Sequence, residues 1–167
     1  MEHENLTLIG MPASGKSTVG VILAKVIGYD FIDTDLLIQN RTGKKLRDII
    51  ASEGIDRFLE IENEVCREVT GNRCVIATGG SAVYGAEGME HLKSLGKVIY
   101  LETAFHVLER RLRNIRRRGV VIREGQTLLD LYAERSPLYL KYADIVIHES
   151  YGDSESVVQK IIEAAGV

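Results

Sequence analysis

Gly10-Met11-Pro12-Ala13-Ser14-Gly15-Lys16-Ser17 fits the pattern G-x-x-x-x-G-K-[ST] at every fixed position. Glycine at 10 and 15 lets the backbone curl with its N–H groups turned inward, which makes a nest for phosphate oxygens. Lys16 adds a point charge on a flexible stem, able to reach β- and γ-phosphates, and the Ser17 hydroxyl can ligate Mg²⁺. The context is the one such a loop requires. Asn5 to Ile9 (NLTLI) reads as a buried strand just before it, and Lys16 to Ile27 as a helix just after. The start of that helix adds its positive dipole end. Gly10 through Ser17, with Thr18 beside them, are therefore the candidate nucleotide-binding residues. No N-K-x-D segment, which would read guanine, occurs in the chain, so an ATP-type kinase is the favoured class.

Outward from this loop, short β-branched runs alternate with longer helical patterns. Residues 29–32 (YDFI), 74–78 (CVIAT), 97–101 (KVIYL) and 144–148 (DIVIH) are further strand candidates. Helical stretches are clearest over 58–69, 104–113, 127–135 and 154–165. Strands separated by helices imply right-handed crossovers and a parallel sheet covered on both faces. Ligands of such a sheet sit at the carboxyl ends of the strands, so the loops after Ile9, Ile32 and Thr78 are the ones to read. Asp33-Thr34-Asp35 follows the second strand. One of its carboxylates can organise a magnesium hydration shell while the other takes a proton from a substrate hydroxyl. The same two acids would also serve as an N-cap and a solvated first-turn residue for the next helix.

Composition narrows the class further. The 167 residues suffice for one domain, 1–167, with a proper core. A net charge of -3, from 21 Lys and Arg against 24 Asp and Glu, gives no pull toward nucleic acid or membrane. The N-terminal apolar run is too short for a signal peptide or a membrane span, so a cytoplasmic protein is expected. Cys66 and Cys74 form no CxxC or Cys/His cluster and read as reduced, structural thiols. Monomer is the favoured state. The run Arg116-Arg117-Arg118, ahead of Gly119 and Arg123 in a mildly acidic chain, reads more economically as a phosphate-binding lid than as a nucleic-acid patch.

Five segments in order, GMPASGKSTVG, FIDTD, IATGGSAV, RRRGVV and RSPLY, resemble the shikimate kinase family from end to end. The resemblance implies a three-layer α/β P-loop fold, with a five-stranded parallel sheet, helices on both faces and a mobile lid at about 114–125. It also implies transfer of the γ-phosphoryl group of ATP, with Mg²⁺, to a ring hydroxyl. Carried over position by position, Lys16, Asp35 and Arg118 are the catalytic candidates. Ser17 and Asp33 are the metal candidates, and Arg111 falls beside the adenine. Asp35, Gly79, Gly80, Ser81 and Arg135 match substrate-side positions, with Arg135 as the arginine that holds a substrate carboxylate.

Three substrate-side positions depart from the family pattern. Where the family writes G-E-x-x-F-R-x-x-E, this chain runs from Gly54 through Phe58 to Glu62 with Leu59 in place of the arginine. Glu62 thereby lacks its usual neighbouring cation. Arg57 stands two residues earlier, about 200° around a helix, and cannot simply substitute. Ser81 closes what is a glycine triplet in the family, and Gly119-Val120-Val121 follows Arg118 where the family has proline and leucines. Three readings stay open at this level. They are a kinase of shikimate, a sister kinase of another small polyol, hydroxy acid (gluconate-like) or amino alcohol, and a nucleotide-binding module without turnover. Retention of Lys16, Ser17, Asp33 and Asp35 argues against the last.

Overall fold

Every residue of the first strand, β1 (Asn5–Ile9), is buried, as a strand at the centre of a doubly covered sheet must be. The computed structural model describes residues 4–113, 119–149 and 153–167. The elements are β1, α1 (Lys16–Ile27), β2 (Asp30–Asp33), α2 (Thr34–Thr42), α3 (Leu46–Glu53), α4 (Ile55–Glu68) and β3 (Cys74–Ala77). A one-turn 3₁₀ segment (Ala82–Tyr84) leads to α5 (Ala86–Leu95), β4 (Gly96–Thr103), α6 (Phe105–Arg111), α7 (Leu128–Tyr142), β5 (Ile145–Glu149) and α8 (Ser154–Ala165). The strands form one sheet in the order β2-β3-β1-β4-β5, and every pair is parallel.

Side-chain alternation along each strand feeds two cores. Leu6, Leu8, Val75, Ile99 and Leu101 join Val19 and Leu23 of α1 and Val158 and Ile161 of α8 on one face. Ile9, Ile76, Val98 and Tyr100 join Met89, Leu92, Leu131 and Tyr139 on the other. A third cluster lies under α2, α3 and α4, where Ile38, Ile49, Phe58, Ile61 and Val65 also receive Val121. Burying a side chain of Phe58's size contributes about 1.5–3 kcal/mol, so this cluster anchors the segment that starts at Gly119 as well as the helices.

The five strands anticipated from the sequence are all present, β1 with the expected bounds and the other four with ends displaced by one or two residues. Helix α7 runs seven residues beyond the expected end at 135, through Pro137. Proline has no N–H to continue the ladder, yet buried Tyr139 and Tyr142 hold the next turns in the core. Register brings the informative loops together. Asp33 pairs with Ala77 and Ala77 with Leu8, so the loops after β1, β2 and β3 leave the sheet side by side.

Candidate active site

The loop after β1 folds as a phosphate nest should. Gly10, Ala13 and Gly15 have φ of 150°, 63° and 88°, turning successive N–H groups to one side. At Gly10 a Cβ would stand 2.7 Å from the Leu101 carbonyl of β4, so only glycine lets loop and strand approach this closely. The Lys16 ammonium is folded into the loop. It donates to the carbonyls of Gly10 (2.7 Å) and Met11 (2.8 Å) and to Ser14 Oγ (3.3 Å). Its burial lowers its pKa to about 8, against the opposing pull of Asp35. Ser17 Oγ donates to Asp33 Oδ2 (3.1 Å), while Asp33 Oδ1 accepts from the Asp35 amide (2.9 Å). Asp33 is thus both the N-cap of α2 and the partner of Ser17, and neither reading of that acid displaces the other.

A cleft of about 280 Å³ opens between this loop, α2, α4, the loop after β3 and α7. Lys16, Ser17, Asp35, Glu62, Ser81 and Arg135 all line it. Asp35 is pushed up to about 6, first by burial and then by Asp33, with Lys16 opposing. Glu62 is only 2% exposed, and burial raises its pKa to about 7 despite the hydroxyl of Ser81. Ser81 Oγ donates to Glu62 Oε1 at 2.5 Å, and Glu62 Oε2 has no partner. Arg135 is wholly buried. Its Nε donates to Tyr84 Oη (3.2 Å), its Nη2 donates to the Val121 carbonyl (2.7 Å), and its Nη1 has no partner. An unsatisfied buried guanidinium nitrogen and an unsatisfied carboxylate oxygen in one cleft are costly unless a ligand meets them.

The glycines after β3 are required by proximity. A Cβ on Gly79 would lie 2.6 Å from Glu62 Oε2 and 2.8 Å from Asp35 Oδ1, and one on Gly80 would lie 2.6 Å from Pro12 Cδ. The Gly80 carbonyl accepts from Tyr139 Oη at 2.6 Å, which ties this loop to α7.

The candidates drawn from the sequence do not all meet in the cleft. Pro12, Ala13, Gly15, Lys16, Ser17 and Thr18 border it, as do Asp35, Gly79, Gly80, Ser81 and Arg135. Gly10, Met11 and Ser14 form the back of the phosphate loop, with Met11 and Ser14 buried. Arg111 lies against that loop, donating to the Ala13 carbonyl (2.9 Å) and pairing with Glu149 (3.0 Å). Arg118 lies outside the described residues, as do 114–117 of the expected lid. Leu59 is not brought in. Helix α4 buries Phe58, Ile61, Glu62 and Val65 along one stripe, and Leu59, one position off it, lines a neighbouring groove with Asp56, Glu60, Asn63 and Tyr84. Glu62, Phe58 and Tyr84 were not among the sequence candidates. Phe58 and Glu62 entered the sequence reading only as anchors of the G-E-x-x-F-R-x-x-E pattern, which was the available signal for them.

Comparison with known proteins agrees with this geometry. The family model described as shikimate kinase matches residues 12–165. The chain belongs to the shikimate kinase family. A shikimate kinase of Methylococcus capsulatus is 39% identical over 165 residues, covering 97% of this chain and 92% of that protein. One from Thermodesulfovibrio yellowstonii is 36% identical, covering 96% of this chain and 94% of its own. The structure of a shikimate kinase from Acinetobacter baumannii in complex with shikimate superimposes with a TM-score of 0.89 at 35% identity, covering 96% of this chain and 92% of that one. The fold is therefore that of the shikimate kinases, and the chain is an ATP-dependent kinase with an alcohol acceptor.

Proposed function

We propose that this protein transfers the γ-phosphoryl group of ATP to a hydroxyl of shikimate. One observation carries the reading: a phosphate loop, a carboxylate and an unsatisfied arginine nitrogen border a single cleft. The phosphate loop N–H groups and Lys16 hold the nucleotide phosphates and offset the charge that spreads over the transferring group. Asp35 orients the acceptor hydroxyl and takes its proton as the new O–P bond forms and the bond to the β-phosphate oxygen breaks, releasing ADP. A carboxyl raised to about 6 is better placed to accept that proton than an ordinary aspartate. Arg135 Nη1 meets the substrate carboxylate, an ionic contact in a dry site. The Ser17–Asp33 oxygen pair at the mouth suits a hard cation. These two residues would hold Mg²⁺, which would neutralise phosphate charge when bound.

The reading carries a cytoplasmic location with it. Cys66 and Cys74 are both free and buried, in keeping with a reducing compartment. Among the described residues no helix is long and apolar enough to cross a membrane.

An ATP-consumption assay on purified protein, with mass-spectrometric identification of the phosphorylated product, tests the proposal. Phosphoshikimate formation at a rate well above ATP hydrolysis without acceptor is the expected outcome. Turnover of gluconate or homoserine with none of shikimate would overturn it.

A further inference from the structure

The geometry points to Ser81 and Glu62 as a specificity-determining acceptor subsite, in which Ser81 holds one oxygen of Glu62 so that Oε2 takes a hydrogen bond from a second, non-reacting hydroxyl of the acceptor. The inference rests on the function proposed above and adds the part of the acceptor that Asp35 and Arg135 do not grip. Four observations support it. Glu62 is almost wholly buried, yet Oε2 has no partner within the protein. Its other oxygen is fixed by Ser81 at 2.5 Å, which sets the direction in which Oε2 faces. Both Oε2 and Asp35 Oδ1 lie within 2.8 Å of the point where a Gly79 Cβ would sit. The two oxygens therefore pack against the same glycine, and both residues line the cleft, so two hydroxyls on neighbouring carbons of one acceptor can reach them. Finally, Glu62 forms no ion pair with Arg135 among the described residues, and Arg135 Nη1 is itself unsatisfied.

A buried carboxylate oxygen is costly to leave alone. Water could meet that need between turnovers, but an acceptor that displaces the water must supply its own donor or lose affinity. The subsite therefore selects for a hydroxyl and against its removal. An ammonium group is a donor of the same class, and comparing a hydroxyl acceptor with an amino-bearing one separates the two.

The test is steady-state kinetics of the full chain at saturating ATP and pH 8, above the raised Glu62 pKa so that Oε2 is an ionised acceptor. It uses shikimate and an analogue in which one non-reacting hydroxyl is replaced by hydrogen. The variants are Ser81→Ala, Ser81→Thr and Glu62→Gln. Wild type should prefer shikimate over the deoxy compound by about a hundredfold or more in kcat/KM, since a site built around a hydroxyl rejects its absence. Ser81→Ala should raise the shikimate KM about tenfold or more with the ATP KM within about twofold, as expected for losing a charge-assisted hydrogen bond. Ser81→Thr, which keeps the hydroxyl, should restore the KM. Glu62→Gln should narrow the preference for shikimate over the deoxy compound. Equal discrimination by wild type and Glu62→Gln overturns the subsite, as does a parallel rise in both KM values for Ser81→Ala. A preference for an amino-bearing acceptor over shikimate, lost in Glu62→Gln, overturns the hydroxyl assignment. Should Glu62→Gln fail to fold, the Ser81 pair decides the matter alone. Wild-type turnover of shikimate with no discrimination refutes the subsite and leaves the function standing. Absence of any shikimate turnover refutes the function first.

Discussion

Replacing Glu62 with glutamine should change how stability depends on pH. The carboxyl of Glu62 is raised from 4.5 to about 7, chiefly by burial, with Asp35 adding to the rise and Ser81, Arg135 and Lys16 opposing it. Below pH 4.5 the group is protonated in both folded and unfolded chains and has no effect on the balance. Between pH 4.5 and 7 the unfolded chain releases the proton while the folded chain keeps it, so stability falls with rising pH at about 1.4 kcal/mol per pH unit. Above pH 7 the loss is complete, on the order of 3 kcal/mol. Glutamine cannot ionise, so its variant escapes this loss. Its amide leaves an N–H where Oε2 was, a cost of about 1–3 kcal/mol that does not depend on pH. The informative quantity is therefore the change in the difference between the two proteins. Urea unfolding of wild type and Glu62→Gln at pH 5 and pH 8, without nucleotide and at constant ionic strength, measures it. The variant should gain about 2–3 kcal/mol on wild type between those pH values. Contributions of Asp35 and Lys16 are present in both proteins and largely cancel. Parallel curves, with the difference moving by less than about 1 kcal/mol, would refute a neutral, buried Glu62 and show the cleft to be wet enough to solvate a charge.

Three further outcomes follow from the same geometry. Lys16→Ala should abolish turnover in a folded protein through lost stabilisation of the transferring phosphate, and a near-native kcat would count against the assignment. Asp35→Asn should retain ATP binding by calorimetry while slowing transfer at least about a hundredfold, and equal losses in ATP affinity and rate would move Asp35 to a metal role. Gly79→Ala should raise the acceptor KM about tenfold or more while sparing ATP affinity, because its methyl would stand within 2.8 Å of both Glu62 Oε2 and Asp35 Oδ1. An unchanged acceptor KM would show that these carboxylates can move aside.

The fold was readable because its central evidence is local. Asn5–Ile9 and Lys16–Ile27 carry their own periodicities on either side of a loop whose glycines are dictated by backbone shape, and both elements have the bounds read from the sequence. Strands such as Asp30–Asp33 are short and half-buried, so their pattern is weaker and their ends shift. Helices α2, α3 and α5 lacked a clear sequence signal. Thr34–Thr42 buries only Thr34 and Ile38, and its N-cap depends on Asp33, which reads equally as a site residue. The end of α7 was misplaced because its continuation past Pro137 is stabilised by burial of Tyr139 and Tyr142, a tertiary effect.

For the site, motif and position were enough wherever the chemistry is contributed by one loop. Lys16, Ser17 and Asp35, read from motif and position, all line the cleft. What escaped the sequence is coupling between distant positions. Leu59 and Ser81 stand as two independent departures in the sequence, one removing a cation beside Glu62 and the other adding a side chain after Gly80. The fold places Ser81 Oγ on Glu62 Oε1 at 2.5 Å, so a hydroxyl is the partner of this buried acid. Burial keeps the Glu62 pKa raised, and the Ser81 hydroxyl, which carries no charge, lowers it without reversing the shift. What the fold shows is a buried acid held through one oxygen by a hydroxyl, with its other oxygen left without a partner. This contact joins Glu62 on α4 to Ser81 after β3, and only their packing across the cleft makes it visible, while Leu59 faces the neighbouring groove.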